Sequence, residues 1–314
     1  MATTQPRLSA LPPGRIVVCG GVVLAALWCA IWVATAPDPA LMRQLAFLPG
    51  VGVIGAIIAN TSGTGGGVVF VPVFNGLREH GVMALDPLQI TAASMGIQCF
   101  GMTMGALRWT DRLMHQAPPP DALHSGVRPR DYALAAVAVL AISLPAMLAV
   151  QRMGPIDNQA ILVTYKAFSI PLGLALIAAT WTVNRNVRER ERLEPVDLAV
   201  LMLLAAPGGA ITALLSVGIG ELVALYLFIR HYPVLLSTGV ACVVSSVSVL
   251  SGMVWHTQAG TVQWEVVLLA GPGAALGGFL ARSIAHWLGA RRLKTLDGLW
   301  IVLSASYLVW LNWR

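Results

Sequence analysis

The chain has 314 residues, of which 57% are hydrophobic and only 11% are charged, and its mean hydropathy is +0.74. Soluble domains carry about 25% charged residues, so this composition excludes an ordinary soluble domain and indicates a polytopic membrane protein. The net charge of +6 then indicates basic cytoplasmic loops rather than nucleic-acid binding. Because no long polar segment interrupts the apolar sequence, we expect one all-α bundle.

The chain begins with a polar segment, residues 1–15, and an uncharged apolar run, residues 16–36. About 20 apolar residues span a bilayer as a helix, so the run predicts an N-terminal transmembrane helix. It exceeds the apolar core of a signal peptide, about 7–15 residues, although Ala34-Thr35-Ala36 has the small residues of a cleavage site. We therefore predict a cytoplasmic tail at 1–15, and an extra transmembrane helix and loop at 16–45 that turns at Pro37-Asp38-Pro39.

A glycine-rich stretch at residues 57–77 organises the rest of the chain. Glycine costs about 1 kcal/mol in a helix interior, so the stretch predicts a membrane helix that breaks and restarts, with short helices at about 46–60 and 65–77. Backbone groups freed at membrane depth must be buried or line a cavity. The stretch is therefore a candidate substrate site. Its candidate residues are Asn60, Thr61, Ser62, Gly63, Thr64, Gly65, Gly66 and Gly67.

The remaining apolar runs predict further helices on both sides of a charged loop at 184–195. Before the loop they fall at about 87–109, 131–150 and 159–183. After it they fall at about 196–216, 222–229, 233–255, 263–286 and 294–312.

The second half of the chain repeats the first. The matching landmarks are Gly63 with Gly218, Pro87 with Pro233, and Trp109 with Trp255. Five segments in each half is an odd number, so residues 46–183 and 196–314 are predicted to be inverted-topology repeats. Paired glycine breaks at equivalent positions indicate a transporter site near the bilayer midplane. Tight helix packing is the alternative explanation of the glycines.

The distribution of basic residues predicts the orientation. With a cytoplasmic N-terminus and every segment crossing, fifteen of the twenty Lys and Arg residues lie inside and four lie outside. This bias follows the positive-inside rule. It holds equally if each short pair is a re-entrant hairpin, because two crossings and none have the same parity.

Free N–H groups at a restarting helix carry a partial positive charge and suit an anion, so the first glycine break predicts an anion site. No Lys-Ser or Lys-Thr follows the glycines, so it is not a Walker phosphate loop. Ser216, Gly218 and Gly220 are expected to complete the site from the second half. Gln98 is assigned to the site as well. Other polar residues of the helices beginning at Pro87 and Pro233 line the path or bond between helices, namely Thr91, Ser94, Thr103, Thr238, Ser245 and Ser246.

Glu221 follows the second glycine turn and has two interpretations. A carboxylate at membrane depth usually faces a cavity and often titrates, which favours a proton-coupling site. A glutamate in the first turn of a helix also complements the helix dipole. Lys166 is either a substrate counter-charge or a side chain that reaches the outer surface. Arg108 and Arg230 are expected to be interfacial anchors, and His256 is the histidine whose role is least certain.

The pattern G-x-G-G-G-x-x-x-x-P, from Gly63 to Pro72, resembles the sulfite exporter TauE/SafE family, also called TSUP. The duplicated glycine motif and the long helices from Pro87 and Pro233 extend the resemblance over residues 46–312. The resemblance implies transport of small sulfur-containing and other organic anions across the bacterial inner membrane. The second motif departs from the pattern, because Glu221 stands where glycine is frequent, and this predicts an asymmetric site.

We therefore expect a multi-pass secondary transporter of small anions that is coupled to protons. The sequence contains no nucleotide-binding motif, and it predicts no cofactor, metal site or nucleic-acid partner. A passive anion channel is the nearest alternative. An intramembrane enzyme, the third class, would need a nucleophile and base paired at membrane depth. The expected partners are the anion and the bilayer, and exposed apolar surface permits a homodimer.

Overall fold

The computed structural model describes residues 12–118, 123–153 and 188–288, and also 170–171, 173–175, 177–178, 181, 292, 295–296, 298–300, 302–303 and 306–307. The regular elements in these residues are helical. They are α1 (Arg15–Thr35), α2 (Pro39–Gln44), α3 (Leu48–Ser62), α4 (Gly67–Glu79), α5 (Pro87–Met114), α6 (Pro129–Arg152), α7 (Pro195–Leu215), α8 (Ile219–Ile229), α9 (Val234–Gln258) and α10 (Trp264–Leu288). Most of the N-terminal tail, most of the predicted helices at 159–183 and 294–312, and Lys166 lie outside the described residues.

Six of these helices are long and apolar enough to cross a membrane. They are α1, α5, α6, α7, α9 and α10, while α3 and α8 are shorter apolar helices. The chain is therefore a multi-pass membrane protein with an apolar helix near its N-terminus, as its composition predicts.

Proline and acidic residues fix where several helices begin. Asp86 accepts a hydrogen bond from the Gln89 N–H at 2.8 Å, and the Gln89 side chain accepts one from the Asp86 N–H at 3.0 Å, a capping box that starts α5 at Pro87. Asp38 likewise caps the short helix α2. The predicted turn at 37–39 is thus wrong at its last residue, because Pro39 opens a helix, where its missing N–H costs nothing.

Two breaks interrupt the fold where the sequence predicts them, with shifted limits. The first break ends α3 at Gly63, whose φ of 80° is left-handed, and α4 begins at Gly67 rather than at 65. The second ends α7 at Ser216, which has a φ of 58°, and α8 begins at Ile219 rather than at 222. The second break is shorter because Gly218, with a φ of 152°, turns the chain within three residues.

The long helices pack in a reciprocal arrangement. Helix α10 packs against α3 and α5, and α6 packs against α7 and α9. Helices α5 and α9 pack against each other and form the middle of the bundle. Helix α1 is peripheral, with Val17 and Leu24 as its buried residues, and it is held by a hydrogen bond of 2.8 Å from Trp28 Nε1 to the Leu268 carbonyl.

Candidate functional site

The two helix breaks lie against each other in the interior. A Cβ atom added to Gly67 would lie 2.7 Å from the Leu215 carbonyl oxygen and 2.8 Å from that of Ser216. A Cβ atom at Gly65 would lie 3.0 Å from a Glu221 carboxylate oxygen. Real Cβ contacts are longer than these, so glycine is what permits the two breaks to meet. The tight-packing explanation of the first glycine motif is therefore confirmed, and its role in binding an anion stays a prediction.

The carboxylate of Glu221 bridges the two breaks. Its Oε1 accepts a hydrogen bond from the Gly65 N–H of the first break. Its Oε2 accepts one from the Gly218 N–H of its own break at 2.6 Å. Glu221 is 1% exposed and lies in the first turn of α8, where it complements the positive helix end. The dipole interpretation of Glu221 is confirmed by this geometry, and its coupling role stays a prediction.

Gln98 of α5 binds both breaks from the side. Its Oε1 accepts a hydrogen bond from the Gly66 N–H at 2.6 Å. Its Nε2 lies 3.0 Å from the Ser216 carbonyl oxygen, 2.5 Å from Ser216 Oγ and 3.1 Å from Ser94 Oγ. An amide nitrogen has two hydrogens, so it satisfies two of these three acceptors at a time. The Gln98 amide can therefore exchange one of these acceptors for another without moving away from the breaks.

Two other predicted site residues donate to helix carbonyls rather than facing the break. The Asn60 amide donates to the Ala56 carbonyl at 2.9 Å and to the Gly101 carbonyl at 3.3 Å. The Thr61 hydroxyl donates to the Ile58 carbonyl at 2.9 Å. These two side chains satisfy helix carbonyls and do not reach the N–H groups of the break.

The hydroxyls that flank the first glycine bond to each other. Ser62 Oγ and Thr64 Oγ1 are 2.8 Å apart, and the Thr64 N–H donates to Ser62 Oγ at 3.4 Å. Gly63 ends α3, and its N–H donates to the Ala59 carbonyl at 3.1 Å. This segment therefore shapes the turn, while the Gly65 N–H faces Glu221 of the second half and the Gly66 N–H faces Gln98 of α5.

The central helices are joined to the breaks and to each other by further polar contacts. Thr91 Oγ1 donates to the Leu214 carbonyl at 2.8 Å, which fixes α5 against the end of α7. Thr103 and Ser246 hydroxyls are 2.8 Å apart and join α5 to α9. Interhelical hydrogen bonding, one of the two predicted roles of these residues, is therefore observed for all three.

The remaining predicted residues support the breaks by packing. Thr238 lies against Gly63, where an added Cβ would come within 3.1 Å of the Thr238 Cα atom. Gly220 lies so close to Ser245 that a side chain at position 220 would overlap the Ser245 hydroxyl. Gly220 therefore has a packing role.

A buried carboxylate that the sequence analysis missed ties both ends of the second hairpin together. Asp197, in the first turn of α7, is 0% exposed. Its Oδ1 accepts hydrogen bonds from Tyr226 Oη at 2.6 Å and from Arg230 Nε at 2.7 Å, and its Oδ2 accepts one from Tyr232 Oη. Arg190 completes the cluster at 3.6 Å from Oδ2. We call these five residues the Asp197 clamp.

The expectation that Arg230 is an interfacial anchor was incomplete. Its guanidinium hydrogen-bonds the buried Asp197 carboxylate, and this contact raises the pKa of Arg230. The sequence contains a signal for this pair: Asp197 stands at the start of the segment at 196–216, and Arg230-His231-Tyr232 follows the next segment, at 222–229. Only the folded hairpin brings these two positions together.

Loops predicted to lie on one side of the membrane meet beside the clamp. The Ser125 N–H donates to a Glu189 carboxylate oxygen at 2.8 Å. The Leu193 N–H donates to Asp131 Oδ2 at 3.1 Å, and the Arg190 N–H donates to the His231 carbonyl at 3.0 Å. The predicted topology places the loops after α5, before α7 and after α8 on the same side of the membrane. Their contacts agree with that topology. Which side is cytoplasmic stays a prediction.

His256 lies apart from the breaks, near the end of α9. It is fully buried, its Nδ1 lies 2.9 Å from Thr261 Oγ1, and its Nε2 has no hydrogen-bond partner. Within the described ranges, no group of three His, Cys, Asp or Glu side chains is placed to hold a metal ion.

The chain was compared with known protein families. The family model described as sulfite exporter TauE/SafE matches residues 48–308, which include both breaks, Gln98 and the Asp197 clamp. No curated protein and no solved structure matches the chain.

Proposed function

Since the chain belongs to the sulfite exporter TauE/SafE family, we propose that it is a proton-coupled secondary transporter of small anions in the bacterial inner membrane. Proteins of this family are transporters and not enzymes, and membership suggests sulfur-containing anions as cargo. Sulfite and small organosulfonates fit this class, because each offers a compact group of anionic oxygens to backbone N–H donors.

One observation carries the proposal: a carboxylate already occupies the N–H groups of the paired breaks. Glu221 accepts the Gly65 and Gly218 N–H groups, one from each half of the chain. Backbone donors at helix starts bind anionic oxygens well. The Glu221 carboxylate is therefore an internal stand-in for the oxygens of a bound anion.

Occupancy of the donors by Glu221 suggests how a proton is coupled to the anion. An ionised Glu221 holds the donors through charge-assisted hydrogen bonds, which are about twice as strong as neutral ones. A protonated Glu221 carries no charge and releases the Gly65 N–H to an incoming anion. Proton and anion then enter the site together, and loss of the proton returns the carboxylate to the donors and expels the anion.

Gln98 has a matching role at the neighbouring donor. Its Oε1 holds the Gly66 N–H, and its amide nitrogen has three acceptors within reach for two hydrogens. Rotation of the Gln98 side chain exposes the Gly66 N–H and directs its own N–H groups toward an anion. Two adjacent backbone donors and one amide would then bind the cargo.

The reciprocal packing supports alternating access by two inverted repeats. The fourth predicted segment of each half packs against the first and third segments of the other half, α10 on α3 and α5, and α6 on α7 and α9. Both halves contribute to the central site through their breaks. A rocking motion of one half against the other would open the site first to one side and then to the other.

The test is transport by the full chain in proteoliposomes. Labelled sulfite, sulfoacetate, taurine and a small carboxylate are assayed under two pH gradients and for counterflow. One proton per monovalent anion predicts about tenfold accumulation for each pH unit. Absence of counterflow with passive flux would instead identify a channel, and no flux of any of these anions would overturn the proposed function.

The matched variants are Glu221→Gln and Glu191→Gln. A glutamine at 221 stands in for the protonated carboxyl, so we expect counterflow to persist and accumulation driven by the pH gradient to disappear. Glu191 is exposed and paired with Arg188, so its variant serves as the control. Full pH-driven accumulation by Glu221→Gln would overturn the coupling role and leave the transport function intact.

A further inference from the structure

We propose that three arginines at one end of α5 and α10 bind the phosphate of an anionic phospholipid. The three are Arg108 and Arg112 on α5 and Arg282 on α10, and we call them the arginine cluster. The cluster is separate from the paired breaks and does not depend on the transported anion.

The three guanidinium groups share one surface. Arg108 and Arg112 are four residues apart and so lie on the same face of α5. The Arg108 guanidinium lies 4.4 Å from the centre of the Phe279 ring, and Phe279 is three residues from Arg282 on α10. Arg282 interacts electrostatically with both α5 arginines. All three side chains are partly buried, so their mutual repulsion is only partly screened by water.

Among the described residues this charge is only partly compensated, because Asp111 attracts Arg282 but forms no ion pair with the cluster. No ion pair joins any of the three arginines to a carboxylate among the described residues. Asp111 is the neighbouring acid, but its Oδ1 accepts the Gly14 N–H at 2.8 Å and lies 3.5 Å from His115 Nδ1. The Arg108 Nε is buried without a hydrogen-bond partner. An external anion would supply the remaining counter-charge.

The surroundings favour a lipid over a soluble anion. On α10, Leu276, Phe279 and Trp287 are 51%, 40% and 82% exposed, so apolar surface adjoins the arginines. Tryptophan is typical of the membrane interface, and basic pockets between transmembrane helices bind phospholipid head groups. A ligand with a phosphate and acyl chains complements both features, whereas free phosphate complements only the charge.

The experiment is native mass spectrometry of the full-length protein in detergent, titrated with phosphatidylglycerol or with phosphatidylcholine of identical acyl chains. We expect Arg282→Gln to weaken phosphatidylglycerol binding by about fivefold, the effect of one basic side chain near anionic lipid. Binding of phosphatidylcholine should be unchanged. Arg152→Gln, at the exposed end of α6, is the control and should bind like wild type.

Three outcomes would overturn the proposal. The first is equal phosphatidylglycerol binding by Arg282→Gln and wild type. The second is equal affinity of wild type for the two lipids. The third is displacement of the lipid by millimolar inorganic phosphate, which would identify a free-phosphate site. If Arg282→Gln does not fold, Arg112→Gln at the end of α5 replaces it, and wild-type lipid binding by that variant overturns the proposal equally.

Discussion

The two helix breaks occupy matching positions in the sequence but contribute different groups to the central polar contacts. The first break supplies donors, the N–H groups of Gly65 and Gly66. The second supplies acceptors, the Glu221 carboxylate and the Ser216 carbonyl, which accepts from Gln98. The two breaks are thus complementary, and the Glu221 carboxylate of the second break accounts for much of the difference.

The hairpins that carry the breaks also differ at their open ends. The α7–α8 hairpin is closed by the Asp197 clamp, whose carboxylate is fully buried. At the end of α4, the described contact is a surface pair between neighbouring residues, Arg78 and Glu79. We infer that the second hairpin is the more rigid element, against which the glycine-rich first hairpin adjusts.

The largest expected effect comes from opening the clamp. Asp197→Ala removes the acceptor of two tyrosine hydroxyls and of Arg230 Nε, while Arg230 keeps its contact with Glu194 at 3.5 Å. The expected cost is about 3 kcal/mol, the lower end for a buried charge pair, because Arg230 is partly exposed. Glu79→Ala, the matching change at the first hairpin, should cost at most about 1 kcal/mol because its ion pair is exposed. Thermal and denaturant unfolding in detergent measure both, and equal losses would contradict the proposed difference between hairpins.

A smaller effect is expected from one hydroxyl of the clamp. Tyr232→Phe removes a hydrogen bond to a carboxylate, which is worth about 1.5–3 kcal/mol. Burial and the hydrogen bond to Asp197 raise the pKa of Tyr232 to about 12, above its ordinary value of about 10. The contribution is therefore complete below pH 10 and is lost as the pH rises through about 12.

The measurement is the difference in free energy of unfolding between wild type and Tyr232→Phe as a function of pH. It should be constant from neutral pH to about pH 10 and shrink above it. A difference that shrinks below pH 9 would show that the clamp does not raise the pKa of Tyr232.

The next effect tests contact between the breaks. Gly67→Ala places a Cβ atom 2.7 Å from the Leu215 carbonyl oxygen, a backbone atom that cannot rotate away. Overpacking of this kind costs about 1–3 kcal/mol, and separation of the breaks should lower anion transport as well. Gly50→Ala on α3, where an added Cβ meets nothing within 4 Å, is the matched control. A tolerated Gly67→Ala would mean that the breaks are not held in contact.

The smallest effect isolates backbone strain in the second break. Ser216 adopts a left-handed φ of 58°, which costs a residue with a side chain about 1 kcal/mol. Ser216→Gly and Ser216→Ala both lose the hydroxyl contact with Gln98, but only glycine relieves the strain. The glycine variant should therefore be more stable by about 1 kcal/mol in unfolding experiments, and equal stabilities would exclude strain at this position.

The sequence predicted most helices because their signals are local. Apolar length, proline at first turns and glycine at breaks placed α1, α5 and both interruptions close to their observed positions. Helix ends were less certain. Helix α5 runs to Met114 rather than 109, because Arg112, Leu113 and Met114 have high helix propensity and Trp109 and Asp111 are buried.

The hydrogen bonds between distant segments of the chain could not be predicted from the sequence. Gly65 and Glu221 are 156 positions apart, and Gln98 and Ser216 are 118 apart, so no local pattern relates them. Asn60 and Thr61 have the polarity expected of a binding site, yet their side chains bond to helix carbonyls. A polar side chain near a break has several acceptors within reach, and tertiary packing selects among them.

The sequence by itself determined that the chain is a membrane protein with two interrupted helices, since hydrophobic length and the conformational freedom of glycine act within a few residues. Only the tertiary structure decided that the Gly65 N–H of one break donates to Glu221 of the other, that Asp197 clamps Arg230, and that three arginines converge without an ion-paired carboxylate in the described part of the chain. Hydrogen bonds and charges act over a few ångströms in space, and distances in space are set by how the helices pack.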